Sequence, residues 1–474
     1  MSIPRKGEDL TLEISAAAFE GKAVARIDGY VVFVEGGVPG DKVLARIVKS
    51  KKQFAEARII EVIAPSSLRT APRCPSFGTC GGCKWQHVDY PAQLQFKQQQ
   101  VYDAFERIGG FHDLTVLPII GADEIYFYRN KMEFSFADQQ WLENPPQQFE
   151  IDNPLPQSAI FLGLHVPQRY DKVLDIRECF LQSEQSTLIL NFTRDFARRS
   201  ALPVYSGRAD SGYWRFLVIR QSKRTSELMV NLVTFEDRPD IMEAYAKEVV
   251  TAIPAITTVV NTINDRKAQI AYGEKERVYY GPGIIHERMA GYLFVISASS
   301  FFQTNTAQAE KLYESAREFA GLRSTDTVYD LYSGTGTIAM AVSAFAKQIV
   351  GIESVESAIR DAERNVRENG IRNCSFVPGD LKDRLTNDKD WMASHPKPDV
   401  LIIDPPRSGM HPRVAEEVRD LSASRIVYVS CNPATQARDC KVLCENRYRL
   451  MKLQPVDMFP HTYHIENVAL LEAV

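Results

Sequence analysis

The run RIVYVSCNPAT (425–435) carries four apolar residues, Ile426 to Val429, to a thiol, Cys431, and Pro433 closes the extended segment. Four other apolar runs in the last third of the chain lead in the same way to an acidic side chain: TVYD to Asp330, QIVGIE to Glu353, SFVPGD to Asp380 and LIID to Asp404. Apolar runs of strand length alternating with helical patterns indicate βαβ units and a parallel sheet. Ligands of open α/β sheets bind beyond the carboxyl ends of the strands. The expectation is one crevice surrounded by all five side chains.

The first of these strands opens into YSGTGTIA, where Gly334, Gly336 and Ala339 fit a G-x-G-x-x-A turn, and Glu353 ends the next strand, where it can accept hydrogen bonds from a ribose. NAD and S-adenosylmethionine both meet these terms. The Asp-Pro-Pro that ends the fourth strand holds Asp404 on a rigid loop, beside a place where a flat heterocycle could lie. An NAD-linked iron–sulfur oxidoreductase leaves that loop and the thiol unexplained. A pyrimidine methyltransferase needs both. C5 of uracil is too weak a nucleophile to attack a methyl sulfonium, but a thiolate adding at C6 converts the ring to an enolate with electron density at C5. A carboxylate must then take the C5 proton, a task suited to a group whose pKa is raised by burial. Glu466, just ahead of the apolar NVALL, could enter the same sheet and serve as that base.

Three regions must position these groups, as 474 residues exceed what one core supports. Residues 1–65 hold five short β-rich runs separated by turns, the pattern of a small antiparallel barrel of the oligonucleotide-binding type. APSSLRTAPRCP (64–75) reads as a linker, and residues 66–300 as a mixed α+β region with strands at NKMEFSF, WRFLVIRQ, ELMVNLVT and ITTVVNTIN. Residues 301–474 form the α/β region, with a helix from Val355 to about Asn369. Hydrophobic content of 45% with 24% charged residues excludes large-scale disorder. There is no apolar stretch of signal-peptide or membrane-span length, which points to the cytoplasm and to reduced thiols. A formal net charge of −4 argues against indiscriminate nucleic-acid binding, yet Asn191–Arg224 carries eight basic residues against two acidic ones, a net of +6. That stretch reads as a solvated face or as a set of phosphate contacts.

In order along the chain, FFQTN (301–305), DLYSGTGT (330–337), DPPRSG (404–409), SCNPAT (430–435) and HIENV (464–468) resemble the RNA uridine-5-methyltransferase family. The resemblance implies a Rossmann-like, S-adenosylmethionine-dependent methyltransferase domain, with Cys431 as nucleophile and Glu466 as base. It further implies that Gln303, Tyr332, Glu353 and Asp404 contact S-adenosylmethionine or the target base, and Asp380 joins them by strand position. YRNKMEFSF, with Arg129, Asn130 and Lys131, also matches. Ser333 departs from the cysteine common at that place. RNA cytosine-5-methyltransferases, a related alternative, tend to place a cysteine directly after the Asp-Pro strand end, where this chain has Pro406 and Arg407.

Upstream, CPSFGTCGGC gathers Cys74, Cys80 and Cys83, and Cys179 is the other cysteine before residue 300. Zinc sites more typically show two Cys-x-x-Cys pairs, whereas three clustered thiolates and a distant fourth can also hold an iron–sulfur cluster; spacing alone leaves the two metals level. The pattern resembles the [4Fe–4S] site of the enzymes that methylate large-subunit (23S) ribosomal RNA. That resemblance implies a TRAM-type barrel and an RNA partner, 23S ribosomal RNA ahead of transfer RNA. With no electron-transfer partner motif in the sequence, the cluster is expected to act as a structural staple, and because a base inside a helix cannot present C6 to a thiolate, the target uridine is expected in a loop or flipped out.

Overall fold

The computed structural model describes residues 3–141, 160–167, 172–386, 388 and 395–474. Near the N-terminus strict alternation builds a barrel from β1 (Asp9–Ala17), β2 (Ala23–Ile27), β3 (Tyr30–Glu35), β4 (Lys42–Ser50) and β5 (Phe54–Ala64). Leu12, Ile14, Val32, Val34, Val43 and Ile47 fill it, together with the small Ala23, Ala25, Ala45, Ala55 and Ala57, which let five strands close on themselves. The ring runs β1-β2-β3-β5-β4, and β3 pairs with β5 in parallel. A purely antiparallel barrel is therefore not what forms. Directions cannot alternate all the way round a ring of five, so one pair must run parallel.

The segment read as a linker is fastened to the barrel. Asp41, 1% exposed, accepts hydrogen bonds from the amides of Val38 and Ser66 and from the Arg69 guanidinium at 2.7–2.8 Å. Burial raises the Asp41 carboxyl, but Arg69 and the two amides outweigh it and hold the pKa below the usual range.

The central region is a mixed sheet built from β6 (Lys131–Ala137), β7 (Phe161–His165), β8 (Val173–Leu174), β9 (Trp214–Gln221), β10 (Leu228–Thr234), β11 (Thr258–Ile263) and β12 (Lys275–Tyr280), in the order β12-β11-β10-β9-β6-β7-β8. Helices Glu184–Ser200 and Pro239–Ala252 cover it, burying Ile189, Phe196, Met242, Tyr245 and Val249 against Leu217, Ile219, Val230 and Leu232. The basic stretch at 191–224 turns partly inward. Arg194, 0% exposed, pairs with Asp175 at 2.6 Å and also donates to the carbonyls of Leu162 and Ile176. Arg215 donates to the carbonyls of Asn264, Arg266 and Ala268, and Arg220 to those of Ala298 and Ser300. Arg199 pairs with Glu248, and Arg224 with Glu310. Arg194, Arg215 and Arg220 are thus buried and spent on backbone carbonyls and Asp175, whereas Arg199, Arg208 and Arg224 remain exposed, so the stretch is not one continuous basic face.

A hairpin, β13 (Ile284–Met289) and β14 (Tyr292–Ser297), leads to helix Thr306–Ala320 and the last sheet: β15 (Thr327–Leu331), β16 (Gln348–Glu353), β17 (Cys374–Pro378), β18 (Val400–Ile403), β19 (Arg425–Ser430), β20 (Tyr448–Val456) and β21 (Glu466–Ala473). Its order is β17-β16-β15-β18-β19-β21-β20, with the first five strands parallel and the last two antiparallel. Helix Glu356–Glu368 lies within the expected 355–369. Helix Tyr90–Ala104, far away in sequence, packs Val101 into this sheet's core beside Leu401, Tyr428 and Leu453. The segment after it runs along β20, with the Leu117 amide bonded to the Leu453 carbonyl at 2.9 Å and that of Ile120 to Pro455 at 3.0 Å.

Candidate active site

The parallel order puts the carboxyl ends of β15, β16, β18 and β19 side by side. Asp330, in the last turn of β15, is fully buried; one carboxylate oxygen accepts from the Ala339 amide at 3.1 Å and the other has no hydrogen-bond partner. The chain then turns sharply. Tyr332, Gly334 and Gly336 have φ of 65°, 54° and 75°, and a Cβ on Gly336 would stand 2.7 Å from Phe376, so the turn requires glycine there on two counts. The Glu353 carboxylate accepts from the amides of Gly334, Ser354 and Val355 at 2.7–3.0 Å, which ties the glycine turn to the end of β16. Thr335 donates to the Phe301 carbonyl at 3.2 Å, laying FFQTN along that turn. In the same segment the Gln303 carbonyl accepts from Asn130, a buried side chain that also donates to Thr306. Asp380 is exposed beyond β17, where it accepts from the Lys382 amide at the start of helix Leu381–Thr386 and helps raise the nearby Tyr332 hydroxyl.

Register decides what meets Cys431. β19 and β21 are antiparallel, with Val429 opposite Val468 and Ser430 opposite Asn467, where the pairing ends; Cys431 follows directly after β19 and Glu466 opens β21, and the two are close enough for the Glu466 carboxyl to act on the thiol. Cys431 also sits just ahead of Asn432, which caps helix Pro433–Leu443 by accepting from the Ala434 amide. The Asn432 amide nitrogen and the Thr435 hydroxyl both donate to the Arg407 carbonyl, locking the Asp-Pro-Pro-Arg loop to the cysteine loop.

The crevice is electrostatically unfinished. Burial first, then Asp404, pushes Asp330 up to about 8; burial pushes Asp404 up to about 7; burial and then Asp404 lift Glu466 well above the carboxylate range. Burial, helped by Glu466 and Asp404, pushes the Cys431 thiol up to about 11, and Arg407 works against it. Among the described residues none of these three carboxyls forms an ion pair. A cation bound here would draw all three toward ionisation.

Glu466 is reached through a loop, 457–465, held from two sides. Lys97 and Asp457 form a fully buried pair at 2.6 Å; Lys97 also donates to the Phe459 carbonyl and Tyr90 to Asp457. Gln93 bonds His461 through both its amide oxygen and nitrogen, and Tyr128 donates to the Pro460 carbonyl. The amides of Lys84 and Trp85, next to Cys83, both donate to the His461 carbonyl at 2.9 and 3.0 Å. Sequence reading missed Lys97 and Asp457: the lysine sits in a glutamine-rich helix with no clear apolar face, and nothing in the sequence marks it as buried.

Cys74, Cys80, Cys83 and Cys179, all free thiols, line one cavity with Leu164 and Ile176. Burial pushes Cys80 up to about 11 and Cys83 up to about 12, and raises Cys74 and Cys179; neighbouring cysteines contribute to all but Cys74, where Glu178 does. Among the described residues no three His, Cys, Asp or Glu side chains are gathered closely enough to hold a single metal ion.

The crevice has a measurable signature. The folded Asp330 keeps its proton up to about pH 8, whereas the unfolded carboxyl loses it near 4. The folded state thus binds the extra proton between those limits, and stability falls as pH rises across them, by at most about 1.4 kcal/mol per pH unit for one group. Without added cofactor, Asp330→Asn flattens the decline in urea-unfolding stability between pH 5.5 and 8.5; an unchanged slope would contradict this reading of the site.

A family model described as tRNA (uracil-5-)-methyltransferase matches residues 221–474, and a TRAM domain model matches residues 5–60. An uncharacterized RNA methyltransferase of Porphyromonas gingivalis is 45% identical over 464 residues, 97% of this chain and 99% of its own length. One of Chlorobaculum tepidum is 44% identical over 473 residues, 99% and 97% of the two chains. Among solved structures, the Pyrococcus abyssi tRNA (uracil-54, C5)-methyltransferase in complex with S-adenosyl-L-homocysteine matches with a TM-score of 0.73 at 28% identity, over 98% of this chain and 100% of that one. The chain belongs to the tRNA (uracil-5-)-methyltransferase family and is an S-adenosylmethionine-dependent RNA methyltransferase with an N-terminal TRAM domain.

Proposed function

We propose that the enzyme methylates C5 of a uridine in 23S ribosomal RNA through a covalent Cys431–C6 intermediate, with residues 1–65 and 66–300 gathering the RNA and residues 301–474 carrying out the transfer. The observation that supports this reading is that the β19–β21 pairing ends next to Cys431 and Glu466, whose side chains act electrostatically on one another and both feel Asp404. S-adenosylmethionine supplies a methyl group on a cationic sulfur. Gly334 and Gly336 give it close backbone approach, Glu353 accepts from its ribose, and Gln303, Tyr332, Asp380 and Asp404 complete the surroundings of cofactor and base. The cation lowers the proton affinity of Glu466 and Asp404 while it is present. Cys431 gives its thiol proton to solvent, Arg407 and the N-terminus of helix Pro433–Leu443 favour the resulting thiolate, and its addition to C6 moves the C5–C6 electron pair into an enolate, from which C5 takes the methyl group as the donor's sulfur–methyl bond breaks. After transfer the positive charge is gone, so the proton affinity of Glu466 rises at the step in which it must take the C5 proton. Loss of that proton restores the ring and releases Cys431.

The Pyrococcus abyssi relative is named for uracil-54 of transfer RNA, which favours transfer RNA as the second substrate reading. In a deletion strain, 5-methyluridine should vanish from 23S ribosomal RNA, return with the wild-type gene and stay absent with Cys431→Ala. Loss from transfer RNA alone would move the substrate to the second reading, and restoration by Cys431→Ala would remove the nucleophile.

We also propose that Cys74, Cys80, Cys83 and Cys179 hold a [4Fe–4S] cluster as a staple. Four thiols on one apolar cavity support it. A single tetrahedral ion would draw all its thiolates to within about 2.3 Å of one point, whereas a multi-iron cluster spreads its thiolates over separate irons. Seated there, the cluster would brace the Lys84–Trp85 amides that grip His461. Anaerobically purified protein should be brown and contain about four iron and four sulfide per chain, lost together with solubility in Cys83→Ser. Stoichiometric zinc without iron would overturn the assignment.

A further inference from the structure

A line of aromatic rings runs from the barrel to the mouth of the crevice. Phe19, 44% exposed on the barrel loop between β1 and β2, meets Tyr463 edge-on at 6.2 Å; Tyr463 lies 4.4 Å from His464, and His464 lies 6.0 Å from Phe459. The loop is seated rather than loosely adjacent: a Cβ on Gly21 would stand 3.0 Å from Lys84 and 3.5 Å from Tyr463, and Gln100 donates to the Ala18 carbonyl. Cations cover the rings. The Arg407 guanidinium lies 5.9 Å from the Tyr463 ring centre and that of Arg129 5.5 Å from Phe459. Arg407 is also the cation that acts on the Cys431 thiol, and Tyr463 and His464 precede Glu466 on the same strand entry, so the ridge ends where the chemistry is proposed. Burial, with Arg407 next, pushes His464 down to about 4, which leaves its ring neutral at physiological pH.

A uridine drawn into the crevice leaves the nucleotide beside it without a stacking neighbour. Phe19 is exposed and Tyr463 and His464 are half-buried, and aromatic faces open to solvent next to cations are the surfaces on which unstacked bases settle. We propose that the ridge of Phe19, Tyr463 and His464 is a stacking subsite for a nucleotide adjacent to the target uridine, with Arg407 contacting the intervening phosphate. The TRAM barrel thereby contributes a ring to substrate positioning at the catalytic mouth. This inference rests on the RNA-uridine reading of the site.

The test uses full-length protein with Cys431→Ala, so that binding is read without chemistry, and a loop RNA with a single uridine flanked on each side in turn by 2-aminopurine. With the ridge intact, fluorescence of one flanking position should be quenched on binding. Adding Phe19→Ala or Tyr463→Leu should release the quenching and weaken RNA binding by about 5- to 100-fold, the range expected for loss of one base–aromatic stack, while Tyr463→Phe keeps both. In the enzyme with Cys431 restored, the same substitutions should raise KM for RNA far more than they lower kcat. Unchanged affinity and unchanged fluorescence in Phe19→Ala and Tyr463→Leu would overturn the subsite. Failure of the underlying mechanism would show separately, as turnover by Cys431→Ala with stacking intact.

Discussion

Removal of negative charge from water at the carboxyl edge of one sheet is the constraint on which this structure turns. Asp330 and Glu466 are buried at the ends of β15 and β21, Asp404 is half-buried just past β18, and none of the three forms an ion pair with a lysine or arginine among the described residues. An isolated buried carboxylate costs several kcal/mol to keep ionised, so burial shifts all three groups toward their protonated forms. A cationic ligand reverses that preference. In the mechanism proposed above, that reversal favours a positively charged methyl donor over the neutral thioether that remains after transfer, and the same charge sets when Glu466 would accept a proton.

A second buried charge is treated in the opposite way. Lys97 and Asp457 are both fully buried, yet each finds its partner at 2.6 Å together with further hydrogen bonds. Breaking such a pair leaves an uncompensated charge and costs about 3–5 kcal/mol. Its position on the loop entering β21 links helix Tyr90–Ala104 to the placement of Glu466, and the Lys84–Trp85 amides link the cysteine segment to the same loop. The three carboxyls of the crevice form no ion pair among the described residues, whereas the one buried lysine of its support does.

The parallel strands were readable because each is a short, largely apolar run with an acidic or thiol side chain at or just beyond its carboxyl end, where ligands of such sheets bind. Their neighbours were harder. β20 reads MKLQPV, with lysine and proline in an edge strand, and its partner segment at 115–120 is more than 300 residues away, beyond any local pattern. The five barrel strands were legible from alternation, but the parallel β3–β5 pair follows from closure, which periodicity does not encode. Charge was the least legible property: Arg194, Arg215 and Arg220 look like surface residues in sequence, and only the loops that fold over them supply the carbonyls they bind. Asn130, a polar residue at a strand start, gave no local sign that it joins the central sheet to FFQTN.

The claim that the thiol and the carboxyl act in sequence on one ring is tested most directly by trapping the ring between them. Glu466→Gln keeps the shape of the side chain but cannot accept the C5 proton, so addition and methyl transfer proceed while elimination stalls. After incubation with RNA and radiolabelled methyl donor, the account predicts a protein–RNA adduct that survives denaturing electrophoresis, carries the label and maps by mass spectrometry to the peptide containing Cys431. The adduct should be absent from Cys431→Ala, Glu466→Gln. Labelled RNA released free by the Glu466→Gln enzyme at the wild-type rate, or an adduct that persists without Cys431, would contradict it.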